Sequence, residues 1–222
     1  MCVAYATLEL RTVGSVLMVG LNRPDSLNAV STQMAREFGE LARELSVPPQ
    51  PPQPPQPPQP PQPPQPPQPP QQQTPAQQRS ITAVVLFGKG RAFCTGRDLK
   101  ESKTHTEADR AEFQHLVRDA CDRWAEVPMP TIAAIHGFCF GWGVEVAVAA
   151  DMRVAAAGTV FCLPETSLAI YPGAGGTVRL PQLIPVGIAK ELIFTARRFT
   201  PQEGHQWGLI NKYSLLWYLC GH

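Results

Sequence analysis

Residues 7–22 (TLELRTVGSVLMVGLN) alternate apolar and polar side chains on both sides of a Val-Gly-Ser turn. Strand side chains point alternately to opposite faces, so this pattern predicts a β-hairpin. The period then changes. Between residues 31 and 45 the apolar positions Met34, Phe38, Leu41 and Leu45 recur at helical spacing, with Ser31 or Thr32 placed to cap the first turn. The apolar run ITAVVLF at 81–87 is bounded by glycine and predicts a buried strand. Residues 106–126 read as a helix with Ala111, Leu116, Val117, Ala120 and Trp124 inward, ended by the Val-Pro-Met-Pro that follows. Residues 131–135 predict another strand, 142–150 another helix and 154–161 a further strand. Strand and helix in alternation imply an α/β core joined by crossovers.

One segment breaks this pattern. Eight consecutive Pro-Pro-Gln triplets fill residues 48–71 and hold 16 of the 25 prolines, leaving the rest of the chain with ordinary proline content. Proline has no backbone N–H and restricts the residue before it, so the tract is expected to be polyproline II or without fixed structure. An inert expanded repeat is the expectation for it, with a ligand for SH3- or WW-type domains as the alternative. The chain divides accordingly into an N-terminal part (1–47), a low-complexity insert (48–80), a core (81–213) and a short Trp/Tyr/Leu-rich tail (214–222).

With 222 residues, 43% hydrophobic and 17% charged, the chain can bury one substantial core. Its net charge of +1 gives no electrostatic footprint for a nucleic acid or an anionic membrane. None of the six cysteines is spaced C-x-x-C, and His105, His115 and His136 show no metal-ligand spacing. Reduced thiols acting as small apolar residues are the expectation, and they favour a reducing compartment. The longest apolar stretch, 131–150, is interrupted by His136, Glu145 and glycines, which argues against a membrane span. The first residues carry neither a secretory nor an Arg/Ser-rich targeting pattern, so a soluble cytoplasmic or mitochondrial protein is expected.

Candidate chemistry lies in two glycine-bearing turns, residues 88–101 (GKGRAFCTGRDLKE) and 136–145 (HGFCFGWGVE). Each follows a buried strand and is expected to open a helix, where free backbone N–H groups and the helix dipole favour negative charge. Two such turns facing one cavity would form an oxyanion hole. Neither is a Walker loop, and neither fits Gly-x-Gly-x-x-Gly.

Five runs stand in order along the chain: NRPDSLNA (22–29), GRAFCTGRDLKE (90–101), HGFCFGWGVEVAVAAD (136–151), LPETSLAIYPGAGGTVRL (163–180) and ARRFTPQEGHQWGLIN (196–211). Together they resemble successive signatures of the enoyl-CoA hydratase/isomerase (crotonase) superfamily, over nearly everything except 48–80 and 214–222. The resemblance implies a crotonase-like spiral of ββα units, with its C-terminal helical part largely missing. It implies an acyl-CoA thioester as substrate, without metal or other cofactor, and a homo-oligomer (trimer or hexamer) for a chain with a complete C-terminus.

By motif position, the backbone N–H groups of Arg97 and Trp142 would hold the thioester oxygen. Glu145 and Glu165 would be the acid/base pair, and Lys100 with the backbone of Asp98 and Leu99 would contact the CoA nucleotide. Two close carboxylates cannot both ionise freely, so one should be raised and the pair should titrate as a unit. The loop at 172–177 reads as a tight backbone turn near the acyl pocket. Trp142 stands where relatives usually have glycine; a left-handed backbone there would cost energy, and the ring could crowd the thioester.

The expected activity is reversible hydration of trans-2-enoyl-CoA to 3-hydroxyacyl-CoA, in fatty-acid or branched-chain amino-acid oxidation. Alternatives are a Δ3,Δ2-enoyl-CoA isomerase, a non-catalytic acyl-CoA- or protein-binding relative, and an adaptor working through the Pro-Pro-Gln tract.

Overall fold

The computed structural model describes residues 5–46 and 81–214. The Pro-Pro-Gln tract and the tail beyond residue 214 lie outside the described residues, as do the expectations attached to them. Strands β1 (Leu8–Val13) and β2 (Val16–Leu21) form the predicted antiparallel hairpin around Gly14. Helix α1 (Thr32–Ser46) buries Met34, Phe38, Leu41 and Leu45, and the Ser31 hydroxyl caps it by accepting from the Met34 N–H at 3.2 Å. β3 (Ala83–Gly88) then pairs in parallel with β2.

After β3 come the four-residue helix α2 (Leu99–Ser102) and the long α3 (Glu107–Ala125). The first glycine-bearing turn therefore opens only one turn of helix. The long helix starts afresh at Thr106, whose side chain and Asp109 form a reciprocal capping box. Its buried stripe is Phe113, Val117, Ala120, Cys121 and Trp124. Ala111 is exposed, which corrects the sequence reading. It sits two residues, about 200°, round the helix from Phe113 and so faces solvent.

Next come β4 (Thr131–Ile135), β5 (Phe138–Phe140) and α4 (Trp142–Ala149), then β6 (Met152–Ala156) and β7 (Val160–Cys162). The single strand expected over 154–161 is thus two strands in different sheets, separated by the turn around Gly158. A six-stranded sheet runs β1-β2-β3-β4-β6-β8, with β8 at Lys212–Ser214, and is parallel except for the hairpin. β5 and β7 form a second, two-stranded sheet, which the backbone extends through a Cys94–Cys139 bridge.

Three times, therefore, the chain leaves the large sheet, touches the small one and enters a helix. It does so after β3 by way of Cys94, after β4 by way of β5, and after β6 by way of β7. This is a spiral of ββα units. Helices α5 (Gly176–Leu183), α6 (Val186–Thr195) and α7 (Pro201–Gln206) follow. Among the described residues no helix is long and apolar enough to cross a membrane.

Candidate active site

The NRPDSLN segment acts as a clamp. Asn28 is buried with φ 54°; its side-chain amide donates to the Lys89 and Ala92 carbonyls at 2.9 and 2.8 Å, and its Oδ1 accepts from the Arg23 N–H at 2.8 Å. Asparagine tolerates a left-handed backbone better than most side chains, so one residue both turns its own chain and pins the next loop. Val30 continues the clamp: its N–H donates to the Gly96 carbonyl at 2.7 Å, and its carbonyl accepts from the Asp98 N–H at 2.9 Å.

The two glycine-bearing turns are stitched together. Phe93 N–H donates to His136 O at 3.0 Å, Cys94 N–H to Phe138 O at 3.1 Å, and Phe140 N–H to Cys94 O at 2.9 Å. Their tips meet at Gly96 (φ 86°) and Gly141 (φ 51°), where a Cβ on Gly96 would stand 3.1 Å from Phe140 O and 3.6 Å from Gly141 Cα. Arg97 and Trp142, the residues just after these glycines, line one cleft of about 120 Å³. Neither backbone N–H donates to an acceptor among the described residues. Two unpaired main-chain donors on one wall are what an oxyanion-binding site requires.

The left-handed residue of the second turn is Gly141, and Trp142 is the first residue of α4. The backbone strain feared for the tryptophan therefore falls on a glycine, which carries no Cβ. The indole packs inward: its N–H donates to Val117 O at 3.2 Å, and it meets the Phe38 ring edge-on at 5.7 Å.

Glu145 and Glu165 line the same cleft, both buried. Glu145 lies in the first turn of α4, and its Oε1 accepts from the Ala174 N–H at 2.7 Å and the Gly176 N–H at 2.9 Å. The PGAGGT loop read as a tight turn thus orients a carboxylate. Arg118 and Arg179 donate to the Gly173 and Ala174 carbonyls and brace it. Burial raises Glu145 above the ordinary carboxylate range, opposed by the Gly176 and Ala174 N–H groups and by Arg179 and Arg118.

Glu165 sits in a 3₁₀ turn (Glu165–Leu168) after β7. Its Oε2 is buried with no hydrogen-bond partner among the described residues. Burial, with the negative charge of Glu145 adding to it, lifts Glu165 to about 7. The charge of Glu145 thus bears on Glu165, and both carboxyls are raised where one was expected to be.

Leu99 lines the cleft, whereas Asp98 and Lys100 do not. Asp98 is engaged within the fold: its carboxylate accepts from the Lys100 and Glu101 N–H groups and pairs with Arg23 at 2.9 Å. Its own N–H and carbonyl bond Val30 and Ser102, so its backbone groups are already partnered. Lys100 is exposed on α2. Sequence reasoning missed the cleft wall built by Phe113, Gln114, Leu168, Ile170 and Tyr171.

The chain resembles known proteins in sequence and in fold. The enoyl-CoA hydratase/isomerase family profile matches residues 73–214. Over 130 residues the chain is 48% identical to human enoyl-CoA hydratase domain-containing protein 2, mitochondrial, covering 58% of this chain and 44% of that protein. It is 33% identical over 207 residues to carnitinyl-CoA dehydratase of Proteus mirabilis, covering 93% of this chain and 67% of that one. The crystal structure of enoyl-CoA hydratase from Bacillus anthracis matches with a TM-score of 0.76 at 31% identity, covering 94% of this chain and 70% of that one. The chain spans about half the length of some relatives: 44% of the human protein, and 56% of an enoyl-CoA isomerase/hydratase of Zymoseptoria tritici. Sequence and fold agree that the chain belongs to the enoyl-CoA hydratase/isomerase family and has the crotonase fold.

Proposed function

We propose that this chain is an enoyl-CoA hydratase, adding water reversibly across the double bond of a trans-2-enoyl-CoA to give the 3-hydroxyacyl-CoA. One observation carries the reading. Two buried carboxyls, Glu145 and Glu165, share a cleft with the unpaired N–H groups of Arg97 and Trp142.

The thioester oxygen sits between the two N–H groups. Negative charge moves onto it as the enolate forms, so donors fixed beforehand stabilise the transition state more than the ground state. The two glutamates hold one water between them; one takes a proton from it as its oxygen attacks Cβ, and the other delivers a proton to Cα. A carboxyl near 7 is matched to such transfers at neutral pH. The chemistry draws on this chain's own groups, with the CoA thioester as substrate. Fatty-acid or branched-chain amino-acid oxidation is the proposed setting, in the cytoplasm or mitochondrion.

A second reading, Δ3,Δ2-isomerisation, is favoured by the unpaired Glu165 Oε2, because one carboxyl suffices to move a proton between Cα and Cγ. Turnover in heavy-oxygen water separates the two. Hydration places solvent oxygen in the product, detected by mass spectrometry, and isomerisation places none. A labelled 3-hydroxyacyl product is expected, and an unlabelled enoyl product would overturn the hydratase reading.

A further inference from the structure

Arg97 carries a second feature that its backbone role does not use. Its guanidinium lies over the Phe113 ring at 4.5 Å, and both residues line the cleft. Its Nε is buried and has no hydrogen-bond partner among the described residues. Elsewhere Arg23 pairs with Asp98 at 2.9 Å and Arg179 with Asp122 at 2.6 Å. Among the described residues the polar contact of the Arg97 guanidinium is a 3.3 Å one between Nη2 and His105 Nδ1.

The charges around Arg97 are Glu101, which attracts it, and Arg110, which repels it. Glu101 is itself engaged, by the Thr32 N–H at 3.0 Å and by His105 at 4.0 Å. A partly desolvated guanidinium with an unused N–H and no carboxylate within ion-pair reach among the described residues is suited to an anion that arrives with a ligand.

We infer that the Arg97 side chain is a specificity-determining residue that receives an anionic oxygen group of the substrate. This rests on the acyl-CoA reading above. The group is either a carboxylate at the far end of a dicarboxylic acyl chain or a phosphate of the CoA nucleotide. Both present oxygens that the N–H edge of a guanidinium can bind.

Equilibrium binding tests this without turnover. Titration calorimetry on the full chain and on Arg97→Gln would use three saturated thioesters: butyryl-CoA, glutaryl-CoA and S-butyryl-pantetheine. If the acyl carboxylate is bound, the substitution weakens glutaryl-CoA about tenfold or more relative to butyryl-CoA. If a phosphate is bound, it weakens both CoA esters about tenfold or more relative to the pantetheine ester. Arg97→Lys, which keeps the charge, should recover part of the loss and guards against a mere folding defect. An equal effect on all three ligands would overturn the inference while leaving the acyl-CoA reading intact. Failure of the unsubstituted chain to bind any thioester would overturn both.

Discussion

Gly141 stands directly against Glu165: a Cβ added to the glycine would lie 3.0 Å from Glu165 Oε1. The residue that turns the backbone to present the Trp142 N–H also leaves the space in which a carboxyl sits. Gly141→Ala would meet both demands at once, through φ 51° and through that contact. Stability should fall by about 1–3 kcal/mol from backbone strain, and kcat by about 10²-fold from a displaced donor. Denaturant unfolding and steady-state kinetics on the same preparation check the pair of effects.

The raised Glu165 makes stability pH-dependent, with a definite sign. Between its ordinary 4.5 and about 7 the carboxyl holds its proton in the folded protein, while the unfolded chain has released it. The folded state binds more protons in that window, so stability falls as pH rises through it and levels off above about 7. The full shift corresponds to about 3 kcal/mol at most. Unfolding midpoints followed from pH 4 to 8 (about the span of the shift) should show this decline, and Glu165→Gln should make it shallower, leaving the part that comes from the raised Glu145.

Asn28 holds two chain segments by three hydrogen bonds and has a positive φ. Asn28→Ala leaves the buried Ala92 carbonyl without this donor, at about 1–3 kcal/mol, and removes two part-buried bonds as well, so a marked loss of stability is expected. Chemical denaturation measures it directly. A change under about 0.5 kcal/mol, typical of an uninvolved surface site, would show that the clamp is dispensable.

The Trp142 ring fills the core between α1 and α3. Trp142→Ala removes the Phe38 contact and the bond to Val117 O, and should cost about 3–5 kcal/mol. Thermal unfolding of the variant is the check.

Much of this was legible in the sequence, and the misses share a cause. The hairpin and α1 follow from the period of their apolar residues, and β3 from a continuous apolar run that ends at Gly88. β5 (Phe138–Phe140) was missed, and β6 and β7 were merged, because strands of three residues carry too little pattern. Their pairing with each other and with Cys94 is made by the spiral. The placing of Ala111 failed for a different reason: α3 mixes polar and apolar residues around its circumference, so the phase of its buried stripe depends on Phe113 and Cys121. In the site, motif position brought Glu145, Glu165, Arg97 and Trp142 to one cleft. It gave no sign that Ala174 and Gly176 would hold Glu145, since a backbone donor leaves no residue-type signature.

The most direct test of the central claim is hydration of crotonyl-CoA by the full chain beside Glu145→Gln and Glu165→Gln, followed by loss of enoyl thioester absorbance. Each substitution should lower kcat by at least ~10²-fold, the usual scale for a positioned acid or base, with KM changing far less. Near-normal turnover in either variant, or tight thioester binding with no hydration by the unsubstituted chain, would contradict the account.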